Sequence, residues 1–242
     1  MNYFYDIEVA ASFFEIGFLP QDTPQDAIDF YIDCDKKGAS LEEKTILRDQ
    51  LGFIYFVIHE EDSIDTKNFV LDTLQLFIKE SVEVLIDYNG NHYDEPLLDF
   101  VIHYTDDLKT FTSEEAITII KQMSDDIISF KFENPRYGIK LLENIDTLYI
   151  PHDVMRMHNL HKTRVSLKHL CIITKHYRIQ DLPYDHKEHI PKFKLNEVLD
   201  YNFNDILALR KIYYYDFEEV ESRYLAASKW KLPLSKTLSA SR

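Results

Sequence analysis

Glycine and proline are scarce, five and eight in 242 residues, so the chain lacks the composition of a disordered or linker-like segment. Cysteine is scarcer still. Cys34 and Cys171 lie far apart and belong to no CxxC or Cys/His cluster, which leaves no basis for a zinc site or a disulfide framework and suits a reducing compartment. Long apolar runs are missing too. The aromatic N-terminal stretch is interrupted by Asp6, Glu8 and Glu15 and has no basic leader, so it reads neither as a signal peptide nor as a membrane span; the expectation is a soluble, cytoplasmic protein with no membrane partner. Positive charge is short as well: 27 Lys and Arg against 42 Asp and Glu give a formal net charge of -15. That balance opposes a clamp on duplex nucleic acid. It leaves room for a cage of carboxylates, because a bound cation inverts the local field.

What the chain does have is a core. Hydrophobic residues make up 45% of it and aromatics 14%, enough for one large domain. Residues 3–9 and 13–19 are aromatic and branched runs separated by Ala10, Ala11 and Ser12, which predicts a β-hairpin. Residues 27–33 alternate Ile28, Phe30 and Ile32 with Asp29, Tyr31 and Asp33 and read as a third strand. Helices are expected over 41–51 and 67–80, the second with Phe69, Val70, Thr73, Leu74 and Phe77 on one face, and a strand over 53–59 lies between them. Another strand at 82–88 ends on the turn signal Asn89-Gly90. A helix over about 95–104 follows, then a helix capped by Thr112-Ser113-Glu114-Glu115. A strand at 144–150, a short helix at 165–173 and a long helix at 204–224 complete the list. The pattern is α/β, a mixed central sheet flanked by helices. The domain is expected over residues 1–225, with 226–242, which carries Lys229, Lys231, Lys236 and Arg242 but no acid, as a basic tail or linker.

Three motifs could carry chemistry. In Tyr5-Asp6-Ile7-Glu8 the two acids are two apart on a predicted strand and project to one face. A solvated strand face would look the same, but the aromatic and branched flanks predict a strand buried on both sides, where unpaired charge is costly. Asn89-Gly90-Asn91-His92-Tyr93-Asp94 sits between a strand and a helix, which puts Asp94 at the carboxyl edge of the sheet or makes it a helix cap. Tyr201-Asn202-Phe203-Asn204-Asp205 places Tyr201 and Asp205 one helical turn apart; it could equally be a capping segment.

Together, in order and spacing, these motifs resemble those of the DnaQ-like DEDD superfamily of 3′–5′ exonucleases, found in family B DNA polymerases and in stand-alone or phage-encoded nucleases. The resemblance spans about residues 3–215 and is loose over 20–80. It implies a ribonuclease-H-like fold and the tyrosine subclass, with Asp6, Glu8, Asp94 and Asp205 as metal ligands and Tyr201 as the group that orients water; Asp200 stands where a related subclass carries histidine. The hard oxygen donors suit Mg2+ or Mn2+, two ions being the expected complement. Single-stranded DNA or a frayed 3′ end is the implied substrate, and a polymerase domain or subunit an implied partner. Residues 155–180 contain no acid but include Arg156, Lys162, Arg164, Lys168, Lys175 and Arg178, a candidate phosphate-contacting face or a simple balance for acidic neighbours. Asn89, Tyr93, Arg164 and Lys168 are the candidate nucleic-acid contacts, and exposed rings around Tyr88, Tyr93 and Tyr201 are candidates for base stacking. A different class of reading is an exonuclease-fold module without catalysis that uses its acidic surface to mimic nucleic acid or to dock a basic partner.

Overall fold

The computed structural model describes residues 1–88, 93–133, 153–157 and 165–234. Strands β1 (Asn2–Ala10), β2 (Phe13–Pro20) and β3 (Ile54–His59) form an antiparallel meander, and β4 (Val84–Asp87) and β5 (Asp153–Arg156) add to the other side of β1 in parallel. The order is β3-β2-β1-β4-β5, a mixed five-stranded sheet flanked by helices and compatible with a ribonuclease-H-like fold. β1 is therefore central and buried on both faces, as its aromatic and branched flanks require.

Alternation along β1 and β2 divides the core. Tyr3, Tyr5, Ile7 and Val9 with Phe14, Ile16 and Phe18 face one layer, made by α3 (Ile64–Ser81), α4 (Asp94–His103), α5 (Thr105–Thr110) and α6 (Ser113–Glu133). Phe4 and Leu19 face the other layer, where α1 (Gln25–Lys36), α2 (Leu41–Gln50), α7 (Leu167–Ile173), α8 (Leu195–Tyr215) and α9 (Phe217–Trp230) pack. The hairpin and the helix starts form for the local reasons the sequence offers. β1 and β2 are joined by the two-residue turn Ala11-Ser12. Thr112 and Glu115 exchange the two hydrogen bonds of a capping box, Thr112 N to Glu115 Oε2 at 2.9 Å and Glu115 N to Thr112 Oγ1 at 3.3 Å.

Three expectations change. Residues 27–33 are not a strand but part of α1: the alternation of Ile28, Phe30 and Ile32 coincides with a helical stripe in which Ile28 and Tyr31 are buried and Ala27 and Ile32 pack beside them, while Phe30 is exposed. α3 is rotated relative to its expected face. Phe69 is 71% exposed and the buried stripe is Lys67, Leu71, Leu74 and Ile78, with Lys67 Nζ donating to the carbonyls of Leu108 and Phe111 at 2.6 and 2.5 Å. The helix expected over 204–224 is two helices, beginning nine residues earlier at Leu195 and broken at Asp216. α9 then crosses residue 225, and Leu234 is buried, its N–H held by Asp153 and its carbonyl by Arg223 at 3.2 Å. Helix α9 thus continues to Trp230 and Leu234 is buried, while residues 228–233 are exposed. The strand expected at 144–150, and Asn89, lie outside the described residues, as does Arg164.

Candidate metal centre

β1 runs past the end of β4: the parallel register stops at Phe4 opposite Ile86, so Asp6 and Glu8 project beyond the carboxyl end of β4, where ligands gather in parallel sheets. Their period-2 spacing points both toward α8. α8 starts early enough that Tyr201 and Asp205 fall on adjacent turns of one face. The outcome is a group of three carboxylates, Asp6, Glu8 and Asp205, whose nearest ligand atoms all lie within 4.8 Å of one another. They come from opposite ends of the chain. The group sits over the central strand and not at a sheet edge.

Asp94, the first residue of α4, is outside that close group but adjacent to it, since its charge raises the carboxyls of both Asp6 and Glu8. Burial and then the mutual repulsion of the acids push Asp6 and Glu8 well above the ordinary carboxylate range. Asp205 is raised to about 6, first by burial, and is held from rising further by Tyr201, Lys168, Asn204 and Arg178. Tyr201 stands one helical turn from Asp205; burial and the neighbouring acids raise its hydroxyl, so the phenol keeps its proton.

One acid beside the centre was not foreseen. Glu15 lies opposite Glu8 in the β1–β2 register, is 0% exposed, and neither of its oxygens has a hydrogen-bond partner among the described residues. Burial raises it to about 8, against a lowering pull from Arg48, and its charge in turn raises Asp6 and Glu8. The hairpin register alone would have revealed it, because a two-residue turn at Ala11-Ser12 sets residue 15 opposite residue 8. The three half-buried carboxylates, with buried Glu15 beside them, offer hard oxygen donors of the kind that suit a divalent cation. His, Cys and other soft donors are missing from the group.

The back of the site is polar and hydrogen-bonded. Asn204 gives Nδ2 to the Arg178 carbonyl at 3.2 Å and to Asp205 at 3.4 Å, and its Oδ1 meets His176 Nε2 at 3.0 Å, so that nitrogen carries the ring proton. Burial lowers the imidazole to about 4 and keeps it neutral. Beside it is a second charged cluster. Asp200 receives Tyr31 at 3.2 Å, Lys44 at 3.1 Å and Arg178 at 2.9 Å, and Asp35 receives Lys44 at 2.5 Å and Arg178 at 2.9 Å.

The proposed nucleic-acid contacts divide. Lys168, on α7, lies near enough to lower Glu8 and Asp205 and is paired with Asp181. Arg156 and Arg178 are interior: Arg156 forms a two-pronged pair with buried Glu95, and Arg178 serves Asp35 and Asp200. The basic stretch is therefore partly a set of structural counterions. Tyr201 is buried, Tyr88 and Tyr93 are half-buried, and their hydroxyls are engaged by the Val165 carbonyl and by Ser124 at 2.8 Å, so the rings offer less face for stacking than expected. No helix among the described residues is long and apolar enough to cross a membrane. Comparison of the chain with models of protein families, with curated proteins and with solved structures gave no match.

Proposed function

We propose that the chain is a metal-dependent 3′–5′ exonuclease that hydrolyses single-stranded DNA ends to nucleoside 5′-monophosphates. The observation that carries this reading is the convergence of Asp6, Glu8 and Asp205 within 4.8 Å, with Tyr201 one turn before Asp205 on the same helix. Asp6, Glu8 and Asp205, with Asp94 at the rim, are the residues that would hold Mg2+ or Mn2+. Such a cation supplies Lewis-acid activation of water and neutralises charge on the phosphate.

The chain's own groups account for the rest. Tyr201 holds its proton and so acts as a hydrogen-bonding group that orients a water, not as a base. Attack of that water forms a new P–O bond and breaks the bond to the 3′ oxygen, which leaves with a proton. Lys168 puts a positive charge beside Glu8 and Asp205, where it can meet an incoming phosphate. The clustered acids, raised by burial and by one another, also argue against a purely docking module, which would gain nothing from holding like charges together.

Incubating 3′- and 5′-end-labelled single-stranded DNA with the protein, with and without Mn2+, tests the reading. A metal-dependent ladder shortening from the 3′ end is expected; an untouched substrate with either ion would overturn it. A parallel RNA substrate sets the sugar preference.

A further inference from the structure

Gly17 is the cross-strand partner of Asp6, and its backbone gives no reason for a glycine, since it is not among the residues with positive φ. The reason is space. A Cβ there would fall 2.3 Å from Asn202 Oδ1 and 2.7 and 2.8 Å from ring carbons of Phe53, closer than any real contact. On the same face of β2, Phe13, Glu15 and Leu19 all carry side chains.

Asn202 fills that space. It is 0% exposed, and its Nδ2 donates to the Asp6 carbonyl at 3.1 Å and to Asp6 Oδ2 at 3.4 Å. Its Oδ1 has no hydrogen-bond partner among the described residues. Turning the amide over would set Oδ1 against two oxygens of Asp6, so the orientation is determined by Asp6 at the expense of the other end. A buried amide left half-satisfied in this way needs an explanation. The bond to the carbonyl ties α8 to β1 one turn before Asp205, and the bond to Oδ2 selects the side-chain rotamer of Asp6.

We infer that Asn202 is the positioning residue for Asp6, and that Gly17 is the clearance that lets it reach. The inference rests on the metal-centre reading above. Groups that orient a metal ligand through its hydrogen bonds typically change metal affinity by roughly 10–100-fold when removed.

The test is Mn2+ binding to the full chain by calorimetry. Asn202→Ala and Asn202→Leu, the second keeping most of the volume, should each bind Mn2+ about 10–100-fold more weakly than the parent. Gly17→Ala, which leaves Asn202 in place but crowds its amide, should weaken binding in the same sense, and adding it to Asn202→Ala should cost less than it does alone. This second variant keeps the question open if an Asn202 replacement fails to fold. Parental Mn2+ affinity in a folded Asn202→Leu protein, or fully additive losses in the Gly17/Asn202 pair, would overturn the positioning role while leaving the metal centre standing. No Mn2+ binding by the parent chain would instead sink the metal-centre reading itself.

Discussion

Helix α8 passes through two charged clusters five residues apart, one buried at Asp200 and one half-buried at Asp205, and they are built in opposite ways. At Asp200 and Asp35 the acids are matched by Lys44 and Arg178, with Arg48 3.8 Å from Asp200. Burial alone would raise Asp35, yet its hydrogen bond from Lys44 and the charges of Arg178 and Lys44 bring it below its ordinary value. At Asp205, Asp6, Glu8 and Glu15 the acids face one another, and all four are raised. The chain can supply interior cations to interior carboxylates, and does so one residue before Tyr201. Their scarcity at the second cluster is therefore a property of that site, one that a bound divalent cation would complete.

The comparison can be broken most severely at the unpaired cluster. Asp205→Ala removes one of the three converging carboxylates, and nuclease activity on end-labelled DNA should fall to background. The matched cluster should respond in stability instead. Asp200→Asn leaves Lys44, Arg178 and Arg48 with Asp35 alone, and breaking a buried pair typically costs about 3–5 kcal/mol, to be read in urea unfolding; a loss under 1 kcal/mol would mean that the cluster is not coupled to the fold.

Tyr201→Phe keeps the ring and removes only the hydroxyl beside Asp205, so turnover should drop roughly 10²–10³-fold, about 3–4 kcal/mol, with Mn2+ affinity unchanged. Full activity in this variant alongside a dead Asp205→Ala would retain the metal centre and remove Tyr201 from the chemistry. Glu15 sharpens the contrast through pH. Its folded-state value of about 8 exceeds the ordinary 4.5, so between those values the folded chain binds more protons than the unfolded one, and stability must fall as pH rises. In metal-free buffer Glu15→Gln should flatten that decline between about pH 5 and 8; an unchanged slope would show that Glu15 is ionised and partnered. The smallest effect is expected at half-buried Lys168, where Lys168→Ala should weaken DNA binding and lower the salt dependence by about one unit of slope.

Much of this centre could be read from the chain because its parts obey short-range rules. Asp6 and Glu8 share a face through the period of a strand, and Tyr201 and Asp205 through the turn of a helix. The hairpin, the capping box at Thr112 and the alternation of helix and strand were legible for the same reason. Misreadings came where one pattern satisfied two periods, as in α1, or where the partner was remote. Nothing near Lys67 in the sequence announces the carbonyls of Leu108 and Phe111 that allow it to be buried. The helix pair α1–α2, inserted between β2 and β3, carries Asp35, Lys44 and Arg48 to Asp200, a pairing across more than 150 residues. Asn202 and Gly17 are intermediate cases: the asparagine stands inside a recognised motif, but its task depends on which residue of β2 lies opposite Asp6.

Whether the acids around Asp6 and Asp205 form a divalent-cation site is read most directly from thermal unfolding. At pH 8 the parent chain's melting temperature should rise with Mn2+ concentration, as binding to the folded state alone requires. The rise should be lost in a Asp6→Asn/Asp205→Asn variant, whose metal-free form should melt above the metal-free parent because two repelling charges are gone. A melting temperature indifferent to Mn2+ and Mg2+ in the parent, or the same rise in the doubly neutralised variant, would contradict the account.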